Sequence, residues 1–588
     1  MDTNSTENLN TSNQNLKVNT SQNAEPGLKS QKSINPQAVW MDEYYLPTQD
    51  LLEMQRTISN SNYSLNRAMS IRDQDVVHRE RSLLFEQALN KTPLQAQILA
   101  NKSIIEEDED LEQIMDLPDE HADVEEYMRK RLQIISETKK DHFSAGIKLQ
   151  KIEIQAEKKL MKLRDELYAE DPSIVTGFYY DKHKKLQASK LFDALKAMPK
   201  PAVHHCHLTA AAPLDYLIRL TYYDFVYYSE RENIFKVSKK GIDKEGYQKI
   251  TTLRKYWSNS LDFDNYLREK ILLGRGQCDC QESHPIWQAF QPKFMLTCDL
   301  YNYAEFFEKI LYKVCKVFIK EMVFVLELRQ IFGMVIDDDG KPVGIQEEIR
   351  IFQRVLAKVQ RDYPLFNIRL IICGLKILGE PHCLKMLQGT SEGNALSELV
   401  VAFDMVNEED QTPPIVDFVH MIQDYRAHRH QDLQVVLHAG ESVERGNDNL
   451  VDAVLLGTKR IGHGFALAKH PQLQEIVKKQ GICIECCPIS NMVLGYTLDL
   501  RTHPVRAFLH QGLPVSISPD DPGFFDAEGV TLDYVYAFLA WELDLADLKQ
   551  LCYNSLNYSL ISEEEKDQLR PFFETRWIRF LEYIRGKY

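Results

Sequence analysis

Apolar residues in this chain follow two different periods. From residue 198 onward, short apolar runs recur at 201–207, 322–329, 368–375, 399–406, 433–439, 459–463, 482–487 and 514–519. Segments of helical length, with apolar positions every three or four residues, separate them. Such runs, bounded by helices, read as strands of a parallel sheet covered on its outer face. Eight of them in alternation with helices predict an α/β fold of the TIM type, a (β/α)8 barrel over 198–588. The gap after the first run is much longer than the rest. Within it, 222–290 is rich in Tyr, Lys and Asp and reads as an inserted subdomain. The C-terminal stretch 531–588 reads as helical, with Trp541, Leu543, Leu545, Leu548 and Leu551 spaced for burial.

Ahead of the barrel the texture is different. Residues 127–197 are charged and helix-favouring, with Leu132, Ile135, Ile147, Leu149, Ile152, Ile154 and Leu160 as the apolar positions. They predict a helical N-terminal extension, and the periodicity serves packing within one chain or between two equally well. Residues 41–126 are poorly defined, with short helices expected around 82–90 and an acidic, solvated run at 106–126. Residues 1–40 are mostly Asn, Ser, Thr and Gln and read as a disordered polar tail.

Composition narrows the function classes. At 588 residues, 44% hydrophobic and 27% charged, the chain suits one large barrel with appendages. A formal charge of -16 argues against a nucleic-acid partner, which calls for a basic face. No window approaches 18–20 uninterrupted apolar residues, so a membrane span is not expected. The start lacks the basic-then-apolar layout of a secretory signal, and a cytoplasmic location is expected. The eleven cysteines form no regular framework. Cys278, Cys280, Cys483, Cys486 and Cys487 read as free thiols in a reducing compartment, with metal binding as the alternative.

Candidate chemistry sits at the carboxyl ends of four runs. His205-Cys206-His207 closes the first run, and Leu437-His438-Ala439-Gly440-Glu441 the fifth. Gly462-His463-Gly464 closes the sixth and Ser518-Pro519-Asp520-Asp521-Pro522 the eighth. That rim is where barrels of this type carry their active sites. Strand side chains alternate, so His205 and His207 share a face and both reach one ion, while His204 and Cys206 point away. With His438 and Asp520 they make three imidazoles and a carboxylate, a donor set for zinc with a place left for water. Glu441, three residues past His438, is placed to face substrate and to hold a proton. His463 takes a proton from the water or stabilises the charge that develops on it. Its flanking glycines let backbone approach a ligand. Asp521 orients water or accepts a substrate N–H.

These strings resemble the adenosine deaminase superfamily, and within it the adenosine deaminase growth factor branch of secreted adenosine deaminases. The likeness runs through Met198-Pro199-Lys200 to His207, VVLHAGE at 435–441, RIGHGFALAKHP at 460–471, ECCPISNMVLG at 485–495, DLRTHPV at 499–505 and SPDDPGFF at 518–525. It implies zinc bound by His205, His207, His438 and Asp520, and hydrolytic deamination of adenosine or 2'-deoxyadenosine to inosine and ammonia. Glu441 would protonate the purine nitrogen beside the attacked carbon, and His463 and Asp521 would orient and deprotonate the water. Substrate contacts are implied at Thr209, Asn407 and Gly440, with Asn407 standing where relatives often have Gly. Relatives also carry an Asp just after the second His to hold the ribose, where this chain has Leu208 and Thr209. A threonine hydroxyl lacks the charge-assisted strength of that carboxylate. The branch implies a homodimer through 127–167 and an extracellular location as the alternative to the cytoplasmic one. Two other functions stay open: deamination of AMP or another modified purine, and a weakly catalytic growth-factor-like or structural binding protein.

Overall fold

A computed structural model of the chain describes residues 122–278, 282–428, 433–444 and 446–588. The predicted tail 1–40 and nearly all of 41–126, with its expected helices, lie outside the described residues, as does Cys280.

Eleven strands are described, in chain order β1 Lys200–Val203, β2 Val226–Ser229, β3 Ile234–Val237, β4 Gln248–Lys249, β5 Val323–Gln330, β6 Asn367–Leu375, β7 Val400–Val406, β8 Leu437–Ala439, β9 Arg460–His463, β10 Cys483–Cys486 and β11 Val515–Ile517. Eight of them fall on the eight predicted runs. They form two parallel four-stranded sheets, β1-β5-β6-β7 and β8-β9-β10-β11. Single parallel bridges join the halves, Phe403 with Val435 on one side and Cys206 with Asp520 on the other, and close the ring. The barrel strands are short and buried on both faces, so they alternate little; all eight residues of β5 are buried.

Helices cover the outside with one apolar stripe each. Ala304–Lys320 buries Phe306, Phe307, Ile310, Leu311, Val314 and Phe318 at spacings of one to four residues. The C-terminal helices Thr531–Ala540, Leu545–Asn557 and Glu563–Lys587 are present as expected, and Trp541, Leu543, Leu545, Leu548 and Leu551 are all buried. Ser562 and Glu565 form a reciprocal capping box that starts the last of these helices.

The N-terminal extension splits into two parts. Helix Lys151–Glu170 buries Ala156, Leu160, Leu163 and Leu167. It is tied to the C-terminal helices by Glu153, which accepts from Lys549 Nζ and Trp577 Nε1, both at 2.8 Å. Helix Ala122–Lys140 stays largely exposed, with Tyr127 and Ile134 about two-thirds accessible, at 65% and 64%. Residues 222–290 contain the antiparallel sheet β3-β2-β4 and several helices. Helix Ser283–Asn302 runs on past 290 into the barrel's outer layer. Among the described residues no helix is long and apolar enough to cross a membrane.

Candidate active site

Strand β1 ends at Val203, earlier than the predicted run, and beyond it the chain meets β5 again only through a single bridge of His207 with Arg329. His205 and His207 follow in extended backbone. It is held by Asp520 N donating to His205 O and His207 N donating to Asp520 O, each at 3.1 Å. The two imidazoles still share a side: ring centroids lie 5.4 Å apart. His204 points outward, with Nδ1 2.9 Å from Ser516 Oγ and Nε2 2.6 Å from Ser555 O. His438 on β8 completes the trio, 4.4 Å from His205 and 5.3 Å from His207 between centroids.

Asp520 Oδ1 lies 3.3 Å from both His205 Nε2 and His207 Nε2. One potential ligand atom from each of His205, His207, His438 and Asp520 lies within 4.8 Å of the others. The donor chemistry fits a cation. His205 uses Nδ1 toward Glu485 Oε2 at 3.0 Å, and His438 uses Nδ1 toward Asp404 Oδ2 at 2.7 Å. With Nδ1 so engaged, each ring turns its Nε2 inward. His205 Nε2 is buried without a hydrogen-bond partner. An unprotonated Nε2 and a carboxylate oxygen at such distance repel, so a positive charge, either a proton or a metal ion, belongs between them.

The sequence reading missed what stands behind the ligands. Arg329 on β5 donates through Nε to Asp404 Oδ2 at 2.8 Å and through Nη2 to Glu485 Oε2 at 2.7 Å. Its third nitrogen, Nη1, donates to His204 O at 2.9 Å. One guanidinium thus joins the two carboxylates that orient His205 and His438. Arg460 supports the far side, giving Nε to Glu485 Oε1 at 2.6 Å and Nη2 to Glu327 Oε2 at 2.5 Å. The Arg329 and Arg460 charges hold the Glu485 carboxyl well below the usual range although burial opposes ionisation. A signal was available, since Glu327, Arg329, Asp404, Arg460 and Glu485 are charges inside runs otherwise read as buried strands.

Glu441 lies in the loop after β8 and is buried, with Oε1 3.7 Å from His463 Nε2. Burial, then the charges of Asp520, Glu409 and Asp410, push its carboxyl well above the ordinary value. Asp521 is raised by the same combination of burial with the Asp520 and Glu441 charges, and its Oδ1 is buried without a partner. Asp520 goes the other way: burial opposes ionisation, but His205, His463 and His207 hold it well below the usual range. Glu409, also missed from sequence, fixes the Glu441 loop. Its carboxylate accepts from Gly440 N at 2.7 Å, Ser442 N at 2.8 Å and Asn449 Nδ2 at 2.9 Å, so it grips the backbone on both sides of Glu441.

His463 and Asp520 both take positive φ, 65° and 61°, a backbone that non-glycine residues seldom adopt and that re-aims each side chain at its strand end. The glycine before His463 has a different purpose from the expected one. A Cβ on Gly462 would stand 3.1 Å from His438 Cα and 3.2 Å from His205 Cε1, so it clears space for the ligand rings rather than for a substrate. Gly440 is likewise taken up by the fold. Its N–H serves Glu409 and its carbonyl accepts from Ala466 N at 2.7 Å, and a Cβ there would meet Leu450 at 2.6 Å. Thr209 lies half-buried in the turn after His207, and the neighbouring Leu208 is buried in the core. Asn407 follows β7 with φ 124° and accepts from Ile377 N at 3.2 Å through Oδ1. Such backbone costs a non-glycine residue about 1–3 kcal/mol. An Asn407→Gly variant is therefore expected to unfold at higher denaturant than Asn407→Ala, by about 1–2 kcal/mol, since both lose the side-chain bond but only alanine keeps the strain. Equal midpoints for the two variants would remove the strain argument.

The described cysteines are all free thiols, and nearly all are buried. Cys487, read from sequence as a plain thiol, lies within reach of His205, His463 and Asp520.

Residues 276–574 match the family model described as adenosine deaminase, which spans half of the chain and every candidate site residue from Asn407 onward. The chain is also 31% identical over 433 residues to adenosine deaminase 2 of Dictyostelium discoideum, covering 71% of this chain and 79% of that protein. The chain belongs to the adenosine deaminase family. It shares 31% identity over 428 residues with adenosine deaminase 2 of Sus scrofa, 68% of this chain and 82% of the relative. In fold it is similar to a zinc-bound amidohydrolase of Burkhoderia ambifaria, with a TM-score of 0.51 at 17% identity over 68% of this chain and 95% of that one. Family membership brings a metal cofactor with it, and the cluster of His205, His207, His438 and Asp520 is where the donor atoms for one converge.

Proposed function

We propose that this chain is a zinc-dependent aminohydrolase that converts adenosine or 2'-deoxyadenosine to the inosine form and ammonia. The observation that carries this reading is the meeting of three imidazoles and Asp520 beside a buried Glu441 on the carboxyl rim of the barrel. The relatives named adenosine deaminase support the substrate class. His205, His207 and His438, each through a ring nitrogen, would hold zinc with Asp520, a nitrogen-and-oxygen set with one place open. When bound, zinc supplies a Lewis acid that makes water acidic near neutral pH.

The remaining work falls to side chains. Glu441, kept protonated by burial and neighbouring carboxylates, donates its proton to the ring nitrogen next to the attacked carbon. That draws electrons out of the ring and makes the carbon electrophilic. His463 and Asp521 orient the attacking water and assist the loss of its proton. Burial of Glu441, His463, Asp520 and Asp521 keeps bulk water from this chemistry. Leu208 and Thr209 leave the sugar without a carboxylate partner, so recognition leans on the base.

The test is turnover by purified, zinc-loaded protein of adenosine, 2'-deoxyadenosine, guanosine and AMP, followed by purine absorbance and released ammonia. Adenosine or its deoxy form should be the best substrate. No turnover of any of them with zinc bound would end the reading, and preference for AMP would move it to nucleotides.

A further inference from the structure

Beyond the metal cluster, a buried line of polar groups runs outward from His463 through Asn491 and His503, neither of which has a part in the reaction so far. Its Nδ1 lies 3.4 Å from Asn491 Nδ2, and Asn491 Oδ1 lies 3.1 Å from His503 Nε2. At the far end the backbone N–H of Val505 donates to His503 Nδ1 at 3.2 Å. Asn491 and His503 are both buried, and His503 is walled by the rings of Phe465 and Trp541, at 4.8 and 5.4 Å between centroids.

Donor and acceptor roles along this line follow in one direction. Val505 has a hydrogen to give, so His503 Nδ1 is an acceptor without a proton. Burial pushes the His503 imidazole down to about 3, so the ring is neutral at ordinary pH. Its single hydrogen is therefore on Nε2, facing Asn491. Only the oxygen of the Asn491 amide can receive it; the flipped amide would set two donors against each other. The amide nitrogen is left facing His463 and donates to Nδ1, across a long contact. A neutral His463 must then carry its hydrogen on Nε2. On that side it faces acceptors, with Asp520 Oδ2 and Glu441 Oε1 each at 3.7 Å.

We propose that Asn491 and His503 are positioning residues that lock His463 as the Nε2–H tautomer, so that His463 is a hydrogen-bond donor and the proton of water goes to the Asp520–Asp521 pair instead. The proposal deepens the deaminase reading and rests on it for its catalytic consequence, but the tautomer itself does not depend on turnover. An Nε2 that bears hydrogen has no lone pair for a second proton. It can hold the water oxygen in line and support charge building on it. The proton balance then closes on that pair and Glu441. Water gives one proton to the Asp520–Asp521 pair as its oxygen bonds to carbon, and Glu441 gives its own to the ring nitrogen. The pair next passes its proton to the departing amine as the carbon–nitrogen bond breaks, and the hydroxyl proton left on the adduct returns to Glu441. Ammonia and the keto product leave, and the side chains are reset.

The decisive measurement is the two-bond proton–nitrogen correlation spectrum of the zinc-loaded full chain labelled at histidine with nitrogen-15. His463 signals are identified by their loss in His463→Gln. His463 should show a pyrrole-type Nε2 and a pyridine-type Nδ1. Asn491→Leu, nearly the same size, should leave a mixture of tautomers and lower kcat about ten- to a hundredfold with KM within about twofold, because the reacting-site donor is lost while base binding is not. His503→Gln, which can still offer an N–H to Asn491, should retain at least about fivefold more kcat than His503→Leu. A pyrrole-type Nδ1 in the wild-type protein overturns the proposal, whatever the variants do. So does Asn491→Leu with the Nε2–H form and kcat both unchanged. Absence of any turnover alongside the Nε2–H form would instead count against the deaminase reading alone.

Discussion

Glu441→Gln should fold, bind zinc and bind nucleoside, yet lose about a thousandfold in kcat. Glutamine keeps the shape and a hydrogen-bonding N–H but has no proton to transfer to the purine ring. Because the group matters mainly as charge moves in the transition state, KM should change by less than about threefold. The sign of the pH effect follows from the same carboxyl. Its value is raised by burial and by the Asp520 charge, and the protonated form is the useful one, so wild-type activity falls as pH rises through that raised value. The variant's residual rate should lack that alkaline limb. Steady-state kinetics across pH, with metal content measured in parallel, checks both points; near-normal kcat would take the proton-donor role away from Glu441. The same variant separates an enzyme from a binding protein built on the barrel, since a protein that acts by binding alone would keep its effect.

Arg329→Ala is expected to do a different kind of damage. The side chain makes three hydrogen bonds, all buried, and neutralises Asp404 and Glu485 together. Its removal leaves Asp404 without its guanidinium and Glu485 with Arg460 alone, and breaking a buried pair in this way costs about 3–5 kcal/mol. Those carboxylates also aim His438 and His205, and loss of such support weakens metal affinity by about ten- to a hundredfold. Arg329→Lys should recover little, because one ammonium cannot serve three acceptors along a rigid fork. Denaturant unfolding and competition with a zinc indicator measure the two effects separately. A variant with wild-type stability and zinc affinity would show that the arginine is dispensable to the ligand frame.

Much of this site was legible in the bare sequence, for a physical reason. His205, His207, His438, Glu441, His463, Asp520 and Asp521 stand at the ends of apolar runs, and in a parallel barrel those ends share one rim. Strand identity was readable because β5, β6 and β7 are the longest of the barrel strands and mostly apolar, despite the charges they carry. Strand length was not: β1 stops at Val203, and its continuation is held by single bridges to Arg329 and to Asp520, the latter more than 300 residues away in the chain. Orientation was hidden in the same way. Nothing local to Gly440 shows that Glu409 takes its N–H, and nothing near Gly462 shows two imidazoles crowding its α-carbon. Arg329 and Glu485 look in sequence like flaws in buried strands; only their meeting in space makes them the frame for two ligands.

Between β1 and β11 the sheets are stitched through the backbone of His205, His207 and Asp520, the same residues whose side chains converge on the metal position. A metal ion held there would therefore also act as a clasp across this seam of the cylinder. Stripping the metal should accelerate hydrogen exchange at the amides of His207 and Asp520 before the β5–β6 ladder responds, and a uniform response across the barrel would show that the clasp carries no load.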